Sequence, residues 1–257
     1  MTKKEILTNA AAMFFAMCIP FVVAVLGCRG EAWHVVAENL NSAVATDLGI
    51  YIIVSMIGGC WIFNNMKTKE QRITFKMLPA TDAEKFAVRV LYVTLVWWLM
   101  GIVAFCAADV FRMLVSLIVG TDVVRSTIPD FLSMLFGTDG DNRVVINDSH
   151  LNDALPLIVM MYAWIFWVHS LYILGGAFFR RRQFVLTTMV HFVLMLVFTP
   201  LIIDFVDGFD RETAELWADT WAWTVAAVLF ALGVLDWWLS YKIFRRMQVV
   251  NNKWVNL

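Results

Sequence analysis

Six apolar stretches, at 7–26, 44–63, 88–108, 155–176, 184–203 and 221–239, punctuate the sequence, and charged residues bound each of them. A helix rises about 1.5 Å per residue, so roughly 20 apolar residues cross the ~30 Å of hydrocarbon in a bilayer. Within lipid each backbone N–H and C=O must find a partner inside the protein, which a helix achieves without help from neighbours. With 61% hydrophobic residues, 16% charged ones and a mean hydropathy of +0.72, lipid is the solvent for most of this chain. The expectation is an all-α, polytopic membrane protein: one transmembrane domain over residues 1–257 with six transmembrane helices. Arg89 stands near the start of the third stretch, where it can snorkel to the interface.

Orientation follows from the Lys and Arg residues, which favour the cytoplasmic side. With the N-terminus inside, Lys3, Lys4, Lys67, Lys69, Arg72, Lys76, Lys85, Arg89, Arg180, Arg181, Arg182, Lys242, Arg245, Arg246 and Lys253 lie inside, 15 of the 20. The acids run the other way. Glu5, Glu70, Asp82 and Glu84 fall inside and Asp236 near the inner end of the last stretch, with the other 16 of 21, Asp47 and Asp109 among them, assigned to the outer side. Both termini are thus expected in the cytoplasm, and the net charge of −1 conceals a strong polarity across the membrane. Trp217, Trp221 and Trp223 at one end of the sixth stretch, and Trp237, Trp238 and Tyr241 at the other, fit headgroup belts. The first stretch is long for a secretory h-region, and Thr2 with Glu5 reads as a capping box that starts a helix.

The outer loops read as interfacial rather than as a soluble domain. Short amphipathic helices are expected over 29–47, where Trp33, Val36 and Leu40 share a face, and over 211–217, capped by Asp210. Residues 110–119 should prolong the third span, and 131–136 form a further apolar patch. Asp122, Asp130, Asp139, Asp141 and Asp148 lie around them, but their spacing does not match a calcium loop. Asn147 to Ser149 spells a glycosylation acceptor, a triplet that chance often supplies. Cys18, Cys28, Cys60 and Cys106 lack paired metal-ligand spacing and read as small apolar filler, with Cys28 and Cys106 both toward the outer face and a disulfide between them open.

The inner loop at 64–88, NNMKTKEQRITFKMLPATDAEKFAV, is more structured than anchoring requires. Residues 69–78 have helical potential, Pro79 stops that helix, and Thr81 with Glu84 forms a capping box that starts the next. The third span is therefore expected to begin as a cytoplasmic helix.

This layout, with its Leu-Pro-Ala-Thr turn between the second and third spans, resembles the membrane (permease) subunit of type-2 ABC exporters. It also resembles six-span proteins of Bacteroidetes that carry the same turn, a Leu-Gly-Gly stretch such as 174–176 and a basic turn such as Arg180 to Arg182. The resemblance implies a coupling helix that docks on a separate ABC ATPase, with Glu70, Arg72, Phe75, Leu78 and Pro79 at or near the contact. Thr81, Glu84 and Lys85 would begin the helix that transmits movement. It further implies a homodimer or heterodimer in a bacterial inner membrane. Read on its own, the basic loop is also a topogenic anchor, and Arg180 to Arg182 is best explained that way.

Polar groups inside lipid are costly and often functional. His169, His191 and Asp236 are the candidates. The two histidines fall at similar depth, which suits a proton relay or a metal, although two histidines without a third ligand more simply make interhelical hydrogen bonds. Asp236 is placed to pair with Lys242 or Arg246. Gly58, Gly59, Gly175 and Gly176 read as close helix-packing positions.

No G-x-x-x-x-G-K-[ST], G-x-G-x-x-G or G-x-S-x-G occurs, so neither a nucleotide site nor a serine nucleophile is recognisable and no cofactor is expected. The basic residues are scattered among anchoring positions, which speaks against nucleic-acid binding. Three functions remain open: a permease subunit coupled to a separate ATPase, a membrane scaffold or accessory subunit without a transport path, and an intramembrane enzyme using His169 and His191.

Overall fold

A computed structural model describes residues 3–27, 33–66, 68–121, 124–136, 148–207 and 211–247, and among them the side chains of all but 3–4, 33–34, 64–65, 136, 148–154, 201–207 and 211–219. The elements are α1 (Lys3–Gly27), α2 (Trp33–Gly58) running into a 3₁₀ stretch Gly59–Met66, α3 (Lys69–Lys76), α4 (Asp82–Leu91), a π-helical turn Tyr92–Val96, α5 (Trp97–Val119), α6 (Ile128–Phe136), α7 (Asp148–Phe178), α8 (Gln183–Asp207) and α9 (Arg211–Arg246). No strand occurs among the described residues. Helical stretches long and apolar enough to cross a bilayer are Glu5–Gly27, Val35–Phe63, Asp82–Val119, Leu155–Phe178, Gln183–Pro200 and Thr220–Arg246. This is an all-α, multi-pass membrane protein, with six such stretches among the described residues.

Two expected short interfacial helices are not separate elements but run on into the span helices. From Trp33 onward the region 29–47 is the first half of α2. Nothing between Trp33 and Gly49 breaks a helix, and Val36, Leu40, Ala43, Val44 and Asp47 bury one face in protein while Glu38, Asn41, Ser42 and Thr46 stay exposed. The segment 211–217 likewise continues without interruption into α9. The third span does begin as a separate capped helix and does extend to Val119, and α6 covers the apolar patch at 131–136. Lys67, Asp122, Cys28, Asp139, Asp141, Asn147 and Asp210 lie outside the described residues, so the acidic-loop, glycosylation and disulfide expectations do too.

The chain divides into two compact units, Met1–Ser55 with Val96–Asp148, and Met56–Leu95 with Ser149–Leu257. In the first, α1 packs along α5, and Phe105 stacks on Phe131 at 3.9 Å between centroids, flanked by Phe21 and Tyr51. The Trp97 indole donates to the Val54 carbonyl (3.0 Å), and a Cβ on Gly101 would fall 2.6 Å from the Tyr51 ring. Glycine is what lets α2 and α5 approach this closely.

In the second unit the same device recurs between backbones. A Cβ on Gly59 would lie 2.9 Å from the His169 carbonyl oxygen, and one on Gly176 would lie 2.7 Å from that of Cys60. Gly175 faces Thr187, whose hydroxyl is occupied by the Gln183 carbonyl (2.8 Å). Ile62, Phe63, Met66, Ile173, Ala177 and Phe244 close the core beside these contacts.

Candidate functional site

The loop expected to dock is two short helices at an angle set by a braced turn. Thr68 caps α3 by accepting from the Gln71 N–H (3.3 Å), and the Gln71 side chain accepts from the Thr68 N–H in return (3.3 Å). Thr81 and Glu84 repeat that reciprocal box at the start of α4, at 3.3 and 2.8 Å. Each box satisfies two N–H groups that a helix start otherwise leaves to water. Backbone hydrogen bonding at its own helical position, and from Thr68, holds the Glu70 carboxyl below the ordinary glutamate range.

Cations then fasten the turn between the two helices. Lys85 is buried and donates through Nζ to the Lys76 carbonyl (3.0 Å), placing positive charge at the C-terminus of α3, where the helix dipole favours it. Lys76 pairs with Asp82 (3.3 Å) and lies 4.5 Å over the Phe244 ring, while Arg89 lies 4.8 Å over Phe75. Phe244, fully buried near the end of α9, touches Phe63 in a stack at 5.2 Å, Phe75 edge-on and Phe86 at 6.0 Å. One aromatic side chain thereby ties the 3₁₀ stretch, both loop helices and α9 together.

This bracing sorts the expected contact residues into two sets. Arg72 is 2% exposed and donates through Nε to the Met66 carbonyl (2.8 Å), and Phe75 packs inward on Phe244. Lys85 is likewise internal, while Thr81 and Glu84 are committed to the cap. Glu70, Leu78 and Pro79 are exposed, Leu78 at 48%, and sequence reasoning missed their apolar neighbours Met77, 77% exposed, and Ile73, 38%. The outward surface of the loop is therefore an apolar tip, Ile73, Met77, Leu78, Pro79 and Ala80, on an otherwise polar turn.

The intramembrane candidates do not form one site. His169 Nε2 lies 3.1 Å from the Thr94 hydroxyl, while His191 sits against the rings of Trp167 and Tyr172 with Nδ1 unpartnered. No group of three His, Cys, Asp or Glu side chains able to hold a metal occurs among the described residues. Asp236 takes the Ser170 hydroxyl (3.4 Å) and not Lys242 or Arg246, correcting the expected ion pair. Lys242 instead stacks 3.6 Å over Trp238, one turn back along the helix, so its stem points away from Asp236.

The buried polar groups that matter more are two acids assigned by sequence to the outer side. Asp109 and Arg112, both fully buried in α5, pair at 2.9 Å; Asp109 also accepts from Ser126 (2.7 Å), the Thr127 N–H (3.1 Å) and the Thr127 hydroxyl (2.7 Å). Arg112 reaches on to the Arg125 carbonyl. The segment leading into α6 is thus tied to α5, and the i, i+3 spacing of opposite charges was the available signal. Asp47 is also fully buried, among Val44, Tyr51 and Cys18, and neither carboxylate oxygen has a partner.

Compared with known proteins, the chain matches no family model, no curated protein and no solved structure.

Proposed function

We propose that this protein is the membrane subunit of an ATP-driven exporter, working as a dimer in a bacterial inner membrane, and that the tip of the α3–α4 loop docks on a separate ABC ATPase. The observation that carries this reading is the apolar tip held on a rigid mount. Exposing Met77 and Leu78 to water is unfavourable by roughly 1–2 kcal/mol each if they are never covered. A loop serving only as a positive anchor has no use for two capping boxes, a buried lysine on a helix terminus and an aromatic clasp. The sequence carries no nucleotide-binding motif, so the energy for such work comes from a second polypeptide.

In this reading Ile73, Met77, Leu78 and Pro79 form the contact, with Glu70 at its rim. Arg72, Phe75 and Lys85 hold the loop in shape, and α4 with the π-helical turn Tyr92–Val96 passes movement into α5. Such turns interrupt regular helix bonding and are frequent at functional positions. The test is co-purification from the native membrane. The tagged chain should retain a protein with a P-loop, and Met77→Asp with Leu78→Asp should release it without changing expression or detergent elution. Retention of no ATPase by the unaltered chain refutes the proposal and leaves the scaffold reading.

A further inference from the structure

A second feature of the basic face is independent of ATPase docking. The turn between α7 and α8 carries Arg180, Arg181 and Arg182, the last in the left-handed region at φ 52°, a conformation that costs a non-glycine residue energy. These three line a cavity of about 480 Å³ together with Cys60, Trp61, Gln183, Phe184 and Val185. No acidic residue lines it among the described residues. None of the three guanidinium groups has a hydrogen-bond or ion-pair partner among the described residues, and Gln183 is turned away to the Gly176 carbonyl (3.0 Å).

Arg72, which does not line the cavity, is a fourth cation close enough to feel the charge of Arg180. It is buried, its Nη1 has no partner, and its pKa is lowered by burial and by the nearby Arg180. A buried donor left unsatisfied costs about 1–3 kcal/mol, more for a charged group, and like charges brought together add to that. An anion held by Arg180 offsets the like-charge cost. The cavity also presents Trp61, Phe184 and Val185 as exposed apolar surface beside the guanidiniums. A free inorganic anion would leave that surface wet, whereas an amphiphile covers it.

We infer that this cavity is a binding site for the phosphate of an anionic phospholipid, with Arg180 to Arg182 on the phosphate and Trp61, Phe184 and Val185 against the glycerol and upper acyl chain. Arginine matches phosphate geometry through paired N–H donors, and basic pockets at the cytoplasmic ends of spans suit anionic headgroups. Occupancy would also neutralise the charge facing Arg72, linking the α7–α8 turn to α3.

The test is thermal unfolding of the full chain in an uncharged detergent with phosphatidylglycerol, phosphatidylcholine or inorganic phosphate added. Phosphatidylglycerol should raise Tm, phosphatidylcholine should not, and Arg180→Gln should weaken the response roughly tenfold or more, with Arg180→Lys between. A rise with inorganic phosphate and none with phosphatidylglycerol assigns the site to a soluble anion and overturns the lipid. An equal response to phosphatidylcholine, or an undiminished one in Arg180→Gln, overturns the site. Should Arg180→Gln fail to fold, a photoactivatable phosphatidylglycerol on the unaltered chain decides. Label at 180–185 and Trp61 is expected, and label elsewhere only is contrary.

Discussion

Replacing Asp109 with Ala removes the carboxylate at the centre of the α5 to α6 connection. Asp109 accepts from Arg112 Nε (3.0 Å), Ser126, and the Thr127 N–H and hydroxyl, and its Oδ1 is 2.9 Å from Arg112 Nη2. Hydrogen bonds within membrane bundles average only about 0.6 kcal/mol each, so the bonds alone amount to about 3 kcal/mol. The larger effect is electrostatic, because Arg112 is fully buried and keeps its charge when the carboxylate goes. Breaking a buried pair from one side costs about 3–5 kcal/mol. Asp109→Ala is therefore expected to destabilise by that amount in reversible unfolding in mixed detergent and dodecyl sulfate. Removing both charges, Asp109→Leu with Arg112→Met, should recover much of the loss, since apolar replacement of a whole buried pair is often close to neutral. If Asp109→Ala unfolds within about 0.5 kcal/mol of the unaltered protein, the usual range of an inconsequential substitution, the pair does not hold this connection.

Three further outcomes follow from the packing. Gly176→Ala places a Cβ 2.7 Å from the Cys60 carbonyl oxygen, where rigid backbone must give way, and should destabilise by about 1–3 kcal/mol, measured by the same unfolding. Phe244→Ala removes the ring shared by Phe63, Phe75 and Phe86 and should cost about 3–5 kcal/mol, with limited proteolysis at Lys69 and Lys76 accelerated ahead of cleavage elsewhere; protection of both sites would contradict the clasp. The Glu70 carboxyl has a lowered folded-state pKa, so its support of α3 is present at neutral pH and lost only as pH falls through that lowered value. Glu70→Gln should accordingly loosen amide-exchange protection of Gln71 and Arg72 at neutral pH and make no difference in strong acid.

The spans, their number and the order of helix, proline stop and capped helix over 69–91 were legible in the sequence because lipid demands length and apolarity, and because Pro79, Thr81 and Glu84 are local signals. The close-packing glycines were legible for the same reason: at 59, 175 and 176 a small residue inside an apolar run has few other uses. Which way α3 faces was not. Lys69, Arg72 and Lys76 share a helical face by spacing, and composition would send such a face to water, yet Arg72 and Lys76 turn inward because the Met66 carbonyl, six residues back, and the Phe244 ring, distant in sequence, receive them. Exposure of Met77 and Leu78 is the other side of that rotation. Asp47 and Asp109 were assigned to outer segments because acids so often mark loops. Their burial depends on where α2 and α5 begin and end, and helix bounds are what sequence patterns place least well.

Contact between the loop tip and an ATPase is tested most directly by photo-crosslinking in the native membrane. A photoreactive phenylalanine analogue at Met77 should form an adduct whose partner peptide carries a P-loop, while the same analogue at Leu99, exposed on the α5 span, should not. An adduct at Met77 only with lipid or with another copy of this chain would contradict the account.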